Sequence, residues 1–149
     1  MQQLTIYLSG EVHTDWRDRI IAGITSSALP VVILTPVTDH QQSDEVGAKI
    51  LGVEEKAHWH DRKSAGINAL RSRTAIVSAD IVVVRFGDTY RQWYAAFDAG
   101  YAVAMGKPLI TLHKEPLDHD LKDIDAAAQA TAETPEQVVE ILKYIITSK

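Results

Sequence analysis

A repeated alternation of short, almost continuously apolar runs with segments of helical periodicity constrains this chain most. Four runs have the length of a strand and lie at residues 4–8, 31–34, 81–86 and 109–112. Runs without an apolar–polar alternation are typical of strands covered on both faces, as in parallel sheets. We therefore expect a doubly wound α/β fold, with a mainly parallel sheet flanked by helices and the first strand at its centre. Residues 126–131 are predicted as a fifth, edge strand.

Helical patterns lie between these runs. The predicted helices are 14–26 with Thr14 as cap, 61–78, 90–105, and a last helix opened by Thr134, Pro135 and Gln137 as cap, first residue and capping box. In the second helix the inward face is predicted to carry Ile67, Leu70, Thr74 and Val77. Residues 37–60 show no regular pattern and are interpreted as a long loop.

Size and charge exclude several classes of protein. The 149 residues are expected to form one domain, 1–149. A net charge of -5 without a basic run argues against binding nucleic acid through a broad positive surface. With no cysteine there is no disulfide, Cys-ligated metal or thiol nucleophile. No leader peptide or membrane-spanning run is recognisable, so we expect a cytoplasmic protein that does not associate with membranes.

The predicted topology locates the site before any chemistry is considered. Ligands of open parallel sheets bind outside the carboxyl ends of the strands. The loops at those ends are 9–15, the irregular segment after the second strand, 87–92 and 113–119. All four are polar, as a binding site in this position requires.

An aromatic stripe marks the helix after the third strand and contains one carboxylate. Its members recur at i, i+3 and i+4 and are Tyr90, Trp93, Tyr94, Phe97, Tyr101 and Met105. Asp98 lies on the same side, which we expect to face the protein. A buried carboxylate is costly unless it is hydrogen-bonded or has a task, and burial raises its pKa. The alternative is a structural Asp bonded to a neighbouring hydroxyl or helix end.

Other polar groups suggest different chemistry. His58, His60 and Asp61 offer side chains of the kind that ligate metals, but no HExxH or paired spacing supports a metal site. No Gly-rich phosphate loop follows the first strand. Arg71 and Arg73 are candidates for holding a phosphate, with a solvated helix face as the alternative.

These residues also carry a family resemblance that spans nearly the whole chain. Residues 6–10 (IYLSG), 79–84 (ADIVVV), 98–102 (DAGYA) and 106–110 (GKPLI) resemble the nucleoside 2-deoxyribosyltransferase-like proteins. The most specific part is 90–102 (YRQWYAAFDAGYA), which is similar to the small YtoQ branch. The resemblance implies a flavodoxin-like domain with five strands.

The resemblance also implies roles for individual residues. Asp98 stands where the transferases have a Glu nucleophile that attacks the anomeric carbon, and Tyr7 stands where a Tyr orients that nucleophile. The substrate-binding candidates are Ser9, Gly10, Asp88, Trp93, Tyr94 and Arg71. Trp93 and Tyr94 are candidates for stacking on a base, with the core or a dimer interface as alternatives. Asp88 or Asp61 is a candidate acid at the leaving base, or else a cap or turn residue.

The leading functional hypothesis is an N-glycosyl transferase or hydrolase that acts on a nucleoside or nucleotide and needs no cofactor or metal. A second hypothesis is a nucleoside- or nucleotide-binding protein without turnover. It rests on Tyr94-Ala95, where the transferases have Gly-Thr, and on an acid one methylene shorter than Glu. A third is a metal-dependent hydrolase that uses His58, His60 and Asp61. We also expect a homo-oligomer, since large apolar patches seldom stay bare.

Overall fold

A five-stranded parallel sheet is the centre of the structure, a computed structural model that describes residues 2–148. The strand order is β2-β1-β3-β4-β5, and every neighbouring pair is parallel. The strands are β1 (Leu4–Gly10), β2 (Val31–Leu34), β3 (Ile81–Arg85), β4 (Leu109–Leu112) and β5 (Ala130–Ala132). The helices are α1 (Trp16–Ser26), α2 (His40–Leu51), α3 (Ala57–Ser78), α4 (Trp93–Ala104), α5 (Lys122–Ala127) and α6 (Pro135–Thr147). The predicted α/β class and the five parallel strands are confirmed.

Two apolar layers cover the sheet, one on each face. On one face the cluster contains Ile6, Leu8 and Val83 with residues of α1 and α6. On the other, Val82 and Val84 pack with residues of α3 and α4. All five residues of β3 are buried, as the continuous apolar run predicted. By contrast, β2 is an edge strand with only partial burial, so the prediction that both its faces are covered is wrong.

The region predicted as a long loop contains α2, so that prediction is wrong. Asp39 caps this helix by accepting a hydrogen bond of 2.7 Å from the Gln42 amide. α2 packs on α3 and not on the sheet, and the one residue it buries is Gly47. The Gly47 amide donates to Ser64 Oγ at 2.9 Å. A helix that packs on another helix through Gly and Ser has no apolar periodicity to reveal it.

The second predicted helix is longer than expected and is turned differently. α3 begins at Ala57, so the predicted start at residue 61 is wrong. Leu70 is 68% exposed, Thr74 is exposed, and the buried residues are Ser64, Ala75 and Ile76. Its last turns cover the sheet through Ala75 and Ile76, whereas its middle faces α2. The inward face predicted from a single period is therefore wrong.

The aromatic stripe of α4 lies on the outside. The helix spans Trp93–Ala104 rather than 90–105, and its buried residues are Ala95, Ala99 and Ala102. Trp93 is 73% and Phe97 60% exposed. Small alanines bring this helix close to the sheet, so the larger side chains are directed away from it. The expectation that the stripe faces the protein is wrong, although Asp98 itself is half-buried.

The remaining boundaries show which local signals were reliable. The Thr134 and Gln137 capping box and Pro135 at the start of α6 are confirmed. Thr14 is not the cap of α1, because that position belongs to Asp15 and the Thr14 hydroxyl donates to Glu11. β5 begins at residue 130 because α5 occupies 122–127.

Within residues 2–148, no helix combines the length and the apolar character needed to cross a membrane.

Candidate active site

A cavity of about 450 Å³ lies between α2, α3 and α4, beside the loops that follow β1 and β2. This volume falls within the range of about 300–1,000 Å³ that is usual for small-molecule sites. The polar and charged residues that line it are His40, Ser43, Asp44, Asp61, Ser64, Asn68, Arg71, Ser72, Arg73, Tyr94 and Asp98, together with Thr38. Its place at the carboxyl side of the sheet agrees with the general rule for open α/β folds.

Asp98 is held inside this cavity by Ser9. The Ser9 hydroxyl donates to Asp98 Oδ2 at 2.5 Å and joins the end of β1 to the middle of α4. Ser9 is buried. Burial raises the pKa of Asp98 above its ordinary value, and the hydrogen bond from Ser9 lowers it in part. The result is a carboxyl group that is poorly solvated and fixed in orientation by Ser9.

Tyr7 lies beneath the cavity, and its hydroxyl contacts Ser72 rather than Asp98, the residue it was expected to orient. Its hydroxyl donates to Ser72 Oγ at 3.3 Å, and its ring is fully buried. Burial raises the pKa of the Tyr7 hydroxyl, and the nearby charge of Asp98 adds to that rise. Tyr7 and Ser9 share one face of β1 because they are two residues apart. The hydrogen bond that orients Asp98 in this structure comes from Ser9.

Gly10 and Tyr94 meet at the end of β1. Gly10 has a φ of +108°, and a Cβ there would collide with the backbone carbonyl of Arg85. Its own carbonyl accepts a hydrogen bond of 3.0 Å from the Tyr94 hydroxyl. Tyr94 is thereby fixed beside Asp98 as part of the cavity wall. Its pKa is raised, mainly by burial.

Buried polar groups that the sequence analysis missed support this end of β1. Arg17 donates to the carbonyl oxygens of Leu8, Gly10 and Glu11 at 3.1, 2.9 and 2.6 Å. Its loss of hydration lowers the pKa of the guanidinium to about 10. The spacing in the sequence does indicate that Arg17 is buried. It lies three residues before Ile20 and seven before Ile24, so it shares the buried face of α1 with them.

Glu11 completes the turn between β1 and α1. Burial acts to raise its pKa, but hydrogen bonds from Thr14 and from the backbone amides of His13 and Thr14 outweigh burial, so the pKa is lowered. Arg85 Nε lies 3.6 Å from the Glu11 carboxylate. This turn is therefore stabilised by an ionised Glu11 at neutral pH.

The other predicted substrate-binding residues divide into two groups. Arg71 and Arg73 line the cavity. The Nε and Nη2 atoms of Arg71 donate to the Thr35 carbonyl at 3.3 and 3.2 Å. Asp88 and Trp93 lie outside the cavity lining. Asp88 forms an exposed ion pair with Lys114 at 3.0 Å.

The residues of the metal hypothesis do not form a cluster of converging ligand atoms within residues 2–148. His58, His60 and Asp61 lie on α3, where His60 Nε2 is 3.6 Å from a Glu45 oxygen. Among residues 2–148, a different group brings three ligand-type side chains together: His113, Asp118 and Asp125. His113 is buried and its Nε2 lies 2.8 Å from Asp125 Oδ2. This pair is not evident in the sequence, because His113 directly follows β4 and Asp125 lies on α5, and only the fold brings the two side chains together.

Replacing Ser9 with Ala is expected to raise the pKa of Asp98 further. The Ser9 hydroxyl stabilises the ionised form, so its loss leaves the effect of burial unopposed. A titration that follows the carboxyl carbon of Asp98 by NMR measures this as a midpoint at higher pH. Ser72→Ala is the matched control, because that hydroxyl binds Tyr7 instead. Equal midpoints in Ser9→Ala and the wild type contradict the prediction.

Comparison with known proteins places the chain in a family. A family model described as nucleoside 2-deoxyribosyltransferase YtoQ matches residues 7–146. The chain is 38% identical over 147 residues to the uncharacterized protein YtoQ of Bacillus subtilis (strain 168), with 99% of each chain covered.

Solved structures show the same fold at low identity. A conserved protein from Enterococcus faecalis V583 is similar with a TM-score of 0.59 and 13% identity, covering 97% of this chain and 99% of that chain. The 2-deoxyribosyltransferase of Bacillus psychrosaccharolyticus is similar with a TM-score of 0.55 and 18% identity, covering 91% and 90%. The family match extends over nearly all of the sheet and helices described above, so the chain belongs to the nucleoside 2-deoxyribosyltransferase YtoQ family.

Proposed function

We propose that this protein cleaves the N-glycosidic bond of a nucleoside or nucleotide, with Asp98 as the nucleophile. The observation that carries the proposal is the half-buried Asp98 carboxylate, held by Ser9 within a cavity of about 450 Å³. Family membership supports the general kind of chemistry. The cavity offers hydroxyl, amide and charged side chains as hydrogen-bond partners around a carboxylate that is fixed by Ser9, which suits a sugar.

The reaction has two displacements at the anomeric carbon. An Asp98 oxygen forms a bond to C1′ while the C1′–N bond breaks, and the electron pair leaves with the base, which takes up a proton. A second base or a water molecule then attacks C1′, and Asp98 is released as a carboxylate. Two such displacements retain the configuration of the sugar. Of the two carboxylates considered as the acid, Asp61 lines the cavity, whereas Asp88 does not.

The second candidate is a binding protein without turnover. Tyr94 is its supporting observation, because its ring fills space beside Asp98 and its hydroxyl is tied to Gly10 at 3.0 Å. The shorter acid is also expected to place its oxygen about 1 Å farther from C1′ than a Glu would, a displacement large enough to slow attack. In that case Asp98 serves as a hydrogen-bond partner for a sugar hydroxyl.

Incubation with purine and pyrimidine nucleosides, deoxynucleosides and their 5′-monophosphates distinguishes the candidates. Free base is followed by chromatography, and a second, isotopically labelled base is added to detect transfer. Base release supports cleavage, and labelled nucleoside supports transfer. Ligand-dependent shifts of the melting temperature without release support the binding candidate. Chelator-sensitive release that survives Asp98→Ala contradicts the proposed mechanism.

Self-association is a further part of this proposal, and it places the exposed aromatic side chains of α4 between two copies of the chain. Trp93 and Phe97 are exposed on the outer side of the helix that carries Asp98, and Phe97 also lines the cavity. A second copy packed there covers the apolar surface and closes one side of the site.

Double substitution Trp93→Ser and Phe97→Ser is expected to convert an oligomer into a monomer, because it removes two large apolar side chains from the contact. Light scattering coupled to gel filtration measures the mass. Tyr144→Ser is the control, since Tyr144 is 73% exposed on α6, at the other face of the sheet. A monomeric wild type, or a double variant of unchanged mass, contradicts this expectation.

A further inference from the structure

Two arginines line the cavity of a protein whose overall charge disfavours anions. Arg71 and Arg73 lie on α3, and the chain has a net charge of -5. Both arginine side chains are exposed at the cavity, where a ligand can reach them. Arg73 forms neither an ion pair nor a hydrogen bond with any group in residues 2–148. Its charge is available to a ligand.

Arg73 is held in place by aromatic rings and not by acids. Its guanidinium carbon lies 5.8 Å from the ring centroid of Phe97 and 5.8 Å from that of Tyr101. Such contacts orient a guanidinium while leaving its N–H groups free to donate. Phe97 also lines the cavity, so this cation is positioned at the rim between α3 and α4.

Two further donors lie beside it on the same helix. Arg71 uses Nε and Nη2 to bind the Thr35 carbonyl, which leaves Nη1 without a partner among the described residues. Ser72 accepts from Tyr7, and its own hydroxyl proton makes no hydrogen bond within residues 2–148. Three consecutive residues thus supply unused donors to one end of the cavity.

Asp98 does not neutralise these cations. An opposite charge within about 4–6 Å lowers the pKa of a carboxyl group. The pKa of Asp98 is instead raised, and the influences on it are burial and the Ser9 hydroxyl. Asp98 bonds to Ser9 and forms no ion pair within residues 2–148, so the charges of both arginines remain available to the ligand.

The opposite end of the cavity is acidic. Asp61 precedes Arg71 by ten residues of α3, which corresponds to about 15 Å along a helix axis. Asp44 lies on α2 and lines the same cavity as Asp61. An anionic group is repelled from that end and attracted to the arginine end. The cavity therefore favours a ligand with its negative charge on one side only.

We propose that the substrate is a nucleoside 5′-monophosphate, whose phosphate is bound by Arg73 with help from Arg71 and the Ser72 hydroxyl. This inference rests on the proposed cleavage at Asp98 and names the substrate class for it. The phosphate undergoes no bond change. Its binding fixes the sugar relative to Asp98, which is how remote binding energy accelerates a reaction.

The test compares kcat/KM for a deoxynucleoside and for its 5′-monophosphate. In Arg73→Met, which keeps the apolar stem, the monophosphate-to-nucleoside ratio is expected to fall about 10- to 100-fold, as expected for a lost charge-assisted hydrogen bond. Arg91→Met is the control. Arg91 likewise lies 5.8 Å from an aromatic ring, that of Trp93, but does not line the cavity.

The outcomes separate this inference from the proposed function. If base is released and the monophosphate-to-nucleoside ratio of kcat/KM is the same in the wild type and Arg73→Met, the phosphate site is contradicted while the proposed cleavage stands. If no substrate releases base, the proposed cleavage is contradicted, and the phosphate site is then tested by a binding measurement. Calorimetry with 2-deoxyribose 5-phosphate then supports it if the wild type binds and Arg73→Met does not. Absence of binding to the wild type, or equal binding by both, overturns it.

Discussion

Replacement of Asp98 by Ala is expected to reduce the rate of base release by roughly 10³-fold or more, the scale of losses seen when a covalent nucleophile is removed. In the proposed mechanism the carboxylate is the group that bonds to C1′, and Ala offers no atom in its place. The rate of base release by chromatography measures the effect. Substrate binding is expected to persist, because the donors on α3 do not depend on Asp98.

Asp98→Asn separates the charge of the residue from its size. The amide is isosteric and keeps a partner for the Ser9 hydroxyl but cannot form the ester, so its loss of rate should match that of Ala. Asp125→Asn is the matched control, because Asp125 is a half-buried carboxylate that accepts from the Thr111 hydroxyl at 2.8 Å. It lies outside the cavity lining. Rates are compared per mole of folded protein. Full activity in either Asp98 variant contradicts the nucleophilic role.

The length of the acid distinguishes the enzyme from the binding protein. Asp98 contacts Ser9 directly at 2.5 Å, so the site is built around the shorter side chain. If the wild type cleaves its substrate, Asp98→Glu is expected to slow it, because the longer chain displaces the carboxylate from Ser9. A wild type without turnover that gains base release on Asp98→Glu supports the binding candidate instead.

The strands could be predicted from the sequence because their signal is local. Burial of β3 on both faces requires a continuous apolar run, and the capping box of α6 consists of residues only three positions apart. Asp98 was singled out as a candidate by the family resemblance and by its place on the aromatic side of the helix, but the expectation that this side faces the protein is wrong. The apolar run of β3 and the capping box require no knowledge of tertiary contacts.

The orientation of helices could not be predicted in the same way. The face of α4 that meets the sheet carries small alanines, so the greater hydrophobicity of the aromatic side indicated the wrong face. α2 packs on α3 through Gly47 and Ser64, a contact without apolar periodicity. Partnerships such as Ser9 with Asp98 join residues that are distant in the chain, and only the fold brings them together.

Arg17→Met is expected to lower the free energy of unfolding by about 3 kcal/mol, the scale for buried acceptors that lose their donors. Arg17 is buried and satisfies three carbonyl oxygens at the end of β1, and Met fills similar space without a donor. Urea denaturation measures the change. Because those carbonyls flank Ser9, the variant is also expected to lose activity at temperatures where it remains folded.

Arg19→Met is the matched control for this prediction, since it removes the same charge from the same helix. Arg19 pairs with Glu136 at 2.6 Å, but both side chains are largely exposed, and such pairs contribute about 0–1 kcal/mol. The difference between the two variants therefore measures the buried donors rather than the charge. Equal losses of stability would mean that the end of β1 does not depend on Arg17. The positions of Ser9 and Asp98 would then be maintained without the hydrogen bonds from Arg17.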